Sequence, residues 1–349
     1  MGKIELDHTG SGGGITLSSD GTDLLLDGTA VGGDPDLYSD SANGSAVTPT
    51  SNAGGAYNSV AIGNGADIGF GRGESIAIGT DALANGSQAI ALGKAATVGS
   101  GGSFATALGR NSLANGTSAT AIGTSYASGT DSLAAAIASN SSSYGATGSN
   151  SVAIGQTVKS TATAAVSIGR NAIASGQDSV AIGLQCTADA SNSIALGSYS
   201  STKGVKGRIA FSGVSSNYQQ GTFVLAKQTS DATASVLTYN TASASTDNQV
   251  VLPNNSAYAF HGTIVARQQA SQGTECAAWK VEGLIRREGS AGTTVLVNSA
   301  TTVLDNTPGW GMALSADTTN GGLKVEVTGA ASTNIRWVAT IHTSEVTYA

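Results

Sequence analysis

Between about residues 56 and 200 the chain repeats one pattern of small, aliphatic and glycine positions. A triplet recurs as Ala61-Ile62-Gly63, Ala77-Ile78-Gly79, Ala91-Leu92-Gly93, Ala107-Leu108-Gly109 and Ala121-Ile122-Gly123. It lapses at Ala136-Ile137-Ala138 and returns as Ala153-Ile154-Gly155, Ser167-Ile168-Gly169, Ala181-Ile182-Gly183 and Ala195-Leu196-Gly197. These are ten copies of a 14-residue unit, some with two-residue insertions. Each unit has a second half, such as Asp81-Ala82-Leu83-Ala84-Asn85-Gly86 or Asn171-Ala172-Ile173-Ala174-Ser175-Gly176. Alternation over so few residues specifies strand, because successive side chains point to opposite faces. Glycine closes each segment by supplying the positive φ of a tight corner. Two short strands and two corners make one flattened coil. Coils stacked at about 4.8 Å make ten copies a rod roughly 48 Å long. Val60 and Ile62 share one face and Ala61 takes the other. The larger aliphatic residues are expected inside the roll. The Ala/Ser face is then left outside, where three rods would close-pack about a common axis. On that expectation Ala121→Arg would bring three charges together near the axis.

From about residue 208 the period changes. Strand-like runs separated by Gly, Asn, Asp and Ser are predicted near 222–228, 235–239, 249–252, 257–267, 277–288, 293–298, 310–315, 322–328 and 334–346. Phe260, Gly262, Ile264 and Ala266 alternate with His261, Thr263, Val265 and Arg267, and Ile335, Trp337, Ala339 and Ile341 with Arg336, Val338, Thr340 and His342. Nine strands predict an antiparallel, jelly-roll-like sandwich. The fold class expected is all-β: a parallel β-roll of about ten coils, then this sandwich, assembled as a homotrimer.

Composition narrows the classes. The 349 residues include 48 Gly but only four Pro, which excludes collagen, and no apolar run is long enough for a transmembrane helix. Residues 1–50 hold one Lys and eight acids, so the net −7 of the protein sits on the N-terminal arm. No basic stripe suggests nucleic acid. Cys186 and Cys276 are far apart in sequence and are expected as two buried free thiols of a chain made in a reducing cytoplasm. The opening MGKIELDHTG has no apolar stretch of the Sec type.

Candidate chemistry is sparse. The glycine clusters at 10–14 and 69–73 lack the strand-then-helix frame of a phosphate cradle. Asp20-Gly21-Thr22-Asp23 and Asp34-Pro35-Asp36 do not match an EF-hand loop. His8, His261 and His342 are too scattered for a metal site within one chain, although a trimer axis would triplicate any one of them. Glu275, Glu282, Glu288 and Glu326 show no pairing of the kind glycoside hydrolysis needs. No catalytic residue, metal site or cofactor is expected.

The repeat resembles the YadA-like head of trimeric autotransporter adhesins over about 56–200. The resemblance implies a left-handed trimeric β-roll without chemistry of its own. Neither the neck sequence that follows such heads, nor a heptad stalk, nor an anchor barrel is recognisable. The segments Phe223-Val224-Leu225, Asn248-Gln249-Val250-Val251-Leu252-Pro253, Ala266-Arg267-Gln268, Ala278-Trp279-Lys280-Val281-Glu282-Gly283 and Ile335-Arg336-Trp337-Val338-Ala339 resemble the C-terminal domain of marine-phage tail-fibre-like proteins. The stretch 14–28 resembles adaptor arms of phage structural proteins.

These resemblances imply a virion fibre, made in the host cytoplasm, with three parts. Residues 1–55 would be an acidic arm that attaches to a tail, baseplate or capsid protein through Asp20, Asp23, Leu24, Leu25 and Leu26, and would be ordered only on that partner. Residues 56–207 would be a spacer. Residues 208–349 would meet a host surface glycan or protein through loops carrying Ser271, Glu275, Asp305, Trp310 and Asp317. No nucleic acid and no membrane insertion are expected. A purely structural decoration, a bacterial surface adhesin and a polysaccharide-degrading tailspike are the alternatives.

Overall fold

The computed structural model describes residues 58–139 and 141–348, together with the backbone of four short N-terminal strands. Those strands, Ile4–Leu6, Ile15–Ser19, Leu24–Leu26 and Thr29–Val31, form an antiparallel meander in chain order. The arm thus has a sheet of its own over residues that the sequence left as an attachment segment. Leu24, Leu25 and Leu26 make its third strand, paired to both neighbours. Asp20, Asp23, Asp34, Asp36, His8 and the glycines at 10–14 lie outside the described residues.

The middle of the chain is the β-roll. Ten strands, from Val60–Ile62 to Ile194–Ser198, stack in parallel along one side. Nine two-residue strands, from Asp67–Ile68 to Thr187–Ala188, stack along the other. The lapsed copy is shifted from its expected place. Leu133-Ala134-Ala135 pairs with Thr120-Ala121-Ile122 and with Val152-Ala153-Ile154, and Ala136 takes the corner normally held by glycine, at φ 55°. The extra length of this coil lies between its two strands, before Gly145–Ala146.

The inside and outside of the roll are the reverse of the expectation. Ala77, Ala91, Ala107, Ala121, Ala153 and Ala181 are fully buried, as are Ala84, Ala114, Ala127, Ala146, Ala174 and Ala188 on the facing strands. Ile90, Leu108, Ile122 and Ile182 point outward and are about two-fifths exposed. In a three-residue strand only the middle side chain points inward. A methyl group there lets the two short sheets close on each other, with only a few larger inward side chains such as Ile68, Val98 and Val158. The corner glycines are stacked just as tightly. Gly169 sits at φ +128°, and a Cβ on it would lie 2.2 Å from the Gly183 carbonyl oxygen.

All nine strands predicted after residue 208 are present. We label the ten strands of this region β1 (Ile209–Ser215), β2 (Tyr218–Thr229), β3 (Ser235–Val236), β4 (Val250–Val251), β5 (Ser256–Gln268), β6 (Cys276–Arg287), β7 (Val295–Asp305), β8 (Gly311–Asp317), β9 (Gly322–Thr328) and β10 (Ile335–Thr347). The strand that the sequence missed, β1, is the one that joins the domains. It pairs in parallel with Ile194–Ser198 of the roll and antiparallel with β2. The larger sheet of the sandwich, in the order β7-β6-β5-β10-β2-β1, therefore continues the long side of the roll as one 16-stranded sheet. The smaller sheet has β9 at its centre, with β8 on one side and β3 and β4 on the other.

The core of the sandwich is conventional. Phe223, Leu225, Ile264, Val281, Ile285 and Ile341 from the larger sheet meet Leu237, Leu252, Leu323, Val325 and Val327 from the smaller side. Trp337 anchors it, stacked 5.9 Å from Trp279 and tilted 5.7 Å from Trp310. A lone 3₁₀ turn at Ala291–Thr293 interrupts the all-β pattern.

Candidate functional site

The outward residues of the roll form two continuous ladders. Register carries one through Ile76, Ile90, Thr106, Thr120, Leu133, Val152, Val166, Val180 and Ile194. The other runs through Ile78, Leu92, Leu108, Ile122, Ala135, Ile154, Ile168, Ile182 and Leu196. Both pass without a break into the C-terminal sheet. The first becomes Ile209, Thr222, His342, His261 and Glu282, and the second becomes Phe211, Gln220, Ser344, Ala259 and Leu284. Phe211, Tyr218, Leu284 and Val346 line a shallow open hollow at that transition. An apolar stripe of this length is an interaction surface in itself, since soluble monomers seldom leave such patches uncovered.

Where the ladder turns polar, His261 and His342 stack with ring centroids 5.3 Å apart, and His342 Nδ1 is 3.1 Å from Thr222 Oγ1. Among the described residues no group of three His, Cys, Asp or Glu side chains is placed to hold a metal ion.

Behind the ladder, a buried charge cluster fastens the roll to the sandwich. Arg208, the residue before β1, is fully buried and ion-pairs with Glu345 of β10. Lys203, from the last coil, lies 3.5 Å from the same carboxylate oxygen, and its Nζ donates to Thr347 Oγ1 at 2.9 Å. Gln219 Nε2 and Thr343 Oγ1 donate to the Glu345 oxygens at 3.2 and 2.7 Å. Two cations thus share one buried carboxylate, and the buried Tyr258 hydroxyl lies beside Arg208 and Glu345. Burial pushes the Tyr258 hydroxyl pKa far above its ordinary value.

Burial also lowers the Lys203 pKa from 10.5 to about 8, with Glu345 opposing the shift and Arg208 adding to it. Between those two values the unfolded chain binds more protons at this site than the folded one. The Lys203 contribution to stability should therefore rise as pH is raised from about 8 to 10.5. Its full size is at most about 3 kcal/mol. Urea midpoints measured across this window should climb less steeply in Lys203→Met than in the parent, and equal slopes would refute the assignment.

The residues expected at a receptor-facing surface separate into two groups. Ser271 and Glu275 are exposed on the β5–β6 loop, and Asp305 is exposed at the end of β7. Because Asp305 pairs with Ala278 at the start of β6, the three gather at one end of the larger sheet. Trp310 and Asp317 are not with them. Trp310 is 6% exposed and belongs to the tryptophan core, its backbone N–H donating to Asn306 Oδ1 at 2.9 Å. Asp317 is buried at the opposite end of β8, where it accepts from the Thr319 and Asn320 backbone N–H groups and from Gln249 Nε2 at 2.7 Å. Burial alone would raise its pKa, but these donors prevail and hold the carboxyl below its ordinary range. Both side chains are committed to the interior. Cys186 is buried, whereas Cys276 at the start of β6 is exposed, contrary to the expectation of two buried thiols. Arg267 and Arg336, which sequence reasoning passed over, lie at the same end of the sheet as Ser271 and Glu275.

Roll, ladder and sandwich define an all-β, adhesin-like β-roll protein with a sheet-rich C-terminal domain. Residues 74–96, 100–125, 146–172, 160–185 and 174–200 match the YadA head domain repeat, together under a third of the chain. No curated protein matches the chain. Solved structures similar to it include a tailspike protein gp49 from Acinetobacter baumannii bacteriophage Fri1, a capsular polysaccharide depolymerase. That likeness is at 10% identity and TM-score 0.20, over 79% of this chain and 63% of that one. Another is the Acinetobacter baumannii phage AM24 tailspike protein, at 8% identity and TM-score 0.20, over 82% of this chain and 54% of that one. The chain thus spans less than two thirds of the length of either tailspike, and likeness at this level carries no argument about fold or activity.

Proposed function

We propose that the protein is a homotrimeric virion fibre that binds a host surface and does not cleave it. The observation that carries this reading is the outward apolar ladder on a YadA-type roll. It runs the length of the roll on one side, and a closed assembly of identical chains covers such a self-complementary stripe. The occupant is two further copies of this chain, because the stripe repeats with the period of the roll itself. The N-terminal sheet then serves as the attachment arm, the roll as a stiff spacer and the sandwich as the surface-contacting end. The likeness of its strands to marine-phage fibre domains supports that last assignment.

The carboxylates of the sandwich favour binding over hydrolysis. Glu282, Glu288, Glu326 and Asp247 are each engaged by a neighbouring Lys or Arg. Those whose pKa is displaced move downward: Asp247 through its bond to Lys206, Asp231 through the Thr233 N–H, and Asp317 as described. A general acid for glycoside cleavage needs the opposite shift.

Antibody raised against residues 208–349 should label fibres on intact particles and block their adsorption. Unlabelled particles would remove the virion assignment. Release of new reducing ends from host polysaccharide by the purified protein would replace binding with cleavage.

A further inference from the structure

In the larger sheet Arg267 of β5 and Arg336 of β10 are direct cross-strand partners. Like charges placed opposite one another destabilise a sheet pair. Neither arginine has a carboxylate partner among the described residues. By contrast Lys280, Arg286 and Lys324, three other surface cations of the same domain, each have one. Arg267 Nη1 donates to the Glu275 carbonyl at 3.1 Å, and Arg336 Nε reaches Gln228 Oε1 at 3.4 Å. Most of the donor capacity of both guanidinium groups is left facing solvent.

The two arginines open onto a hollow of about 570 Å³ whose other walls include Gln228, Gln268, Gln269 and Asn334. Its rim is built. Asn334 Nδ2 donates to Gln269 Oε1 at 2.9 Å, the Asn334 N–H donates to Gln272 Oε1 at 2.7 Å, and Gln268 Nε2 donates to the Gln272 carbonyl at 3.0 Å. The two bonds of Asn334 tie the β5–β6 loop to the segment before β10, and the third closes the loop on itself. A second hollow, lined by Lys227, Thr241 and Arg336 among others, shares Gln228 and Arg336 with the first. The pair forms a cleft with two open guanidinium groups and several side-chain amides, while Lys227 Nζ at its edge donates to the Thr241 and Ala242 carbonyls.

We propose that this cleft binds an acidic saccharide, with Arg267 and Arg336 holding its anionic group and the amides its hydroxyls. A planar guanidinium fork suits a carboxylate or sulfate, with two parallel N–H···O bonds. Amide side chains offer both donor and acceptor, which is what vicinal hydroxyls require. Two adjoining hollows suit a chain of sugars better than one residue. Such an anion would also relieve the repulsion between the facing arginines. The proposal rests on the reading of this domain as the surface-contacting end, where three copies would add avidity.

The full-length protein can be titrated calorimetrically with short oligogalacturonates, with sulfated dextran oligomers and with neutral malto-oligosaccharides of matched length. Binding of an acidic probe without binding of the neutral one is expected, and the tighter of the two acidic probes identifies carboxylate or sulfate as the natural group. Arg267→Gln and Arg336→Gln should each weaken it roughly tenfold, the loss of one charge-assisted contact. Arg286→Gln, with the same charge change elsewhere on the sheet, should leave it unchanged. If either Gln variant melts early, Arg→Lys at the same position keeps the charge while removing the fork and should still weaken binding. Equal binding of neutral and acidic probes, or equal loss in Arg286→Gln, would overturn the site. Cell coating by the protein without affinity for either acidic probe would also overturn it while leaving the surface-contact reading intact. Acidic-probe affinity without cell coating would keep the site and remove that reading.

Discussion

Ala121→Arg is expected to prevent the roll from folding, whereas Ile122→Arg should leave the roll folded and abolish association. The two positions are adjacent, and the same side chain is introduced at both. Ala121 is fully buried between Ala107 and Ala134 of the neighbouring coils. An arginine there has no space and no counter-charge. Overpacking costs about 1–3 kcal/mol, and burying an unpaired charge costs several more. Together these approach the whole margin by which a domain is stable. Ile122 is 40% exposed on the outer ladder between Leu108 and Ala135, so an arginine can extend from it without disturbing the coil. In the proposed trimer it would set three like charges against the apolar faces of neighbouring chains. Circular dichroism with sedimentation separates the two effects. A folded Ala121→Arg roll would refute the alanine core, and an Ile122→Arg protein that sediments like the parent would show that the ladder is not the interface.

Removing the carboxylate at Glu345 should destabilise the protein by about 3–5 kcal/mol, since breaking a buried pair strands the remaining charge. Here the effect is compounded, because Glu345→Gln leaves both Arg208 and Lys203 without their anion. The loss should be seen as a lower urea midpoint for the C-terminal domain. A double replacement, Arg208→Met with Glu345→Leu, removes the charge and its partner together and should recover part of the stability, although Lys203 then remains unpaired. Loss in the double variant equal to the sum of the single variants would show that the two residues are not coupled. The cluster also means that cutting the chain at residue 208 would unmake the junction. Such a truncation removes Glu345 and leaves the strand Ile194–Ser198 without its β1 neighbour.

Period and glycine spacing are local properties, so the repeat, its strand character and all corners but that of the lapsed copy were legible in the sequence. It also contained the nine C-terminal strands and the grouping of Phe260, Ile264 and Ala266, and of Trp337 and Ile341, on one face of each strand, because alternation follows from backbone geometry; the structure buries those faces. It did not determine which face of the roll is inside. Alternation groups side chains by face without choosing between faces, and the choice fell mostly to alanine because its methyl group lets the two short sheets approach closely. The lapsed copy was misplaced for a related reason: its register is set by hydrogen bonds to Thr120–Ile122 and Val152–Ile154, not by its own residues.

Other features depend on which distant segments meet. Trp310 falls at a loop end in sequence, yet it packs on Trp337 because the sandwich closes over it. The alternation had already set Arg267 on the face opposite Ile264 and Ala266, and Arg336 opposite Trp337 and Ile341, but the two arginines are 69 residues apart, and nothing local announces that β5 and β10 are neighbours in register. The Arg208–Glu345 pair spans 137 residues and escapes sequence reasoning on the same ground. Local pattern fixes the state of each segment. Strand pairing over long separations fixes which charged groups meet, and in this protein those meetings build both the junction and the cleft.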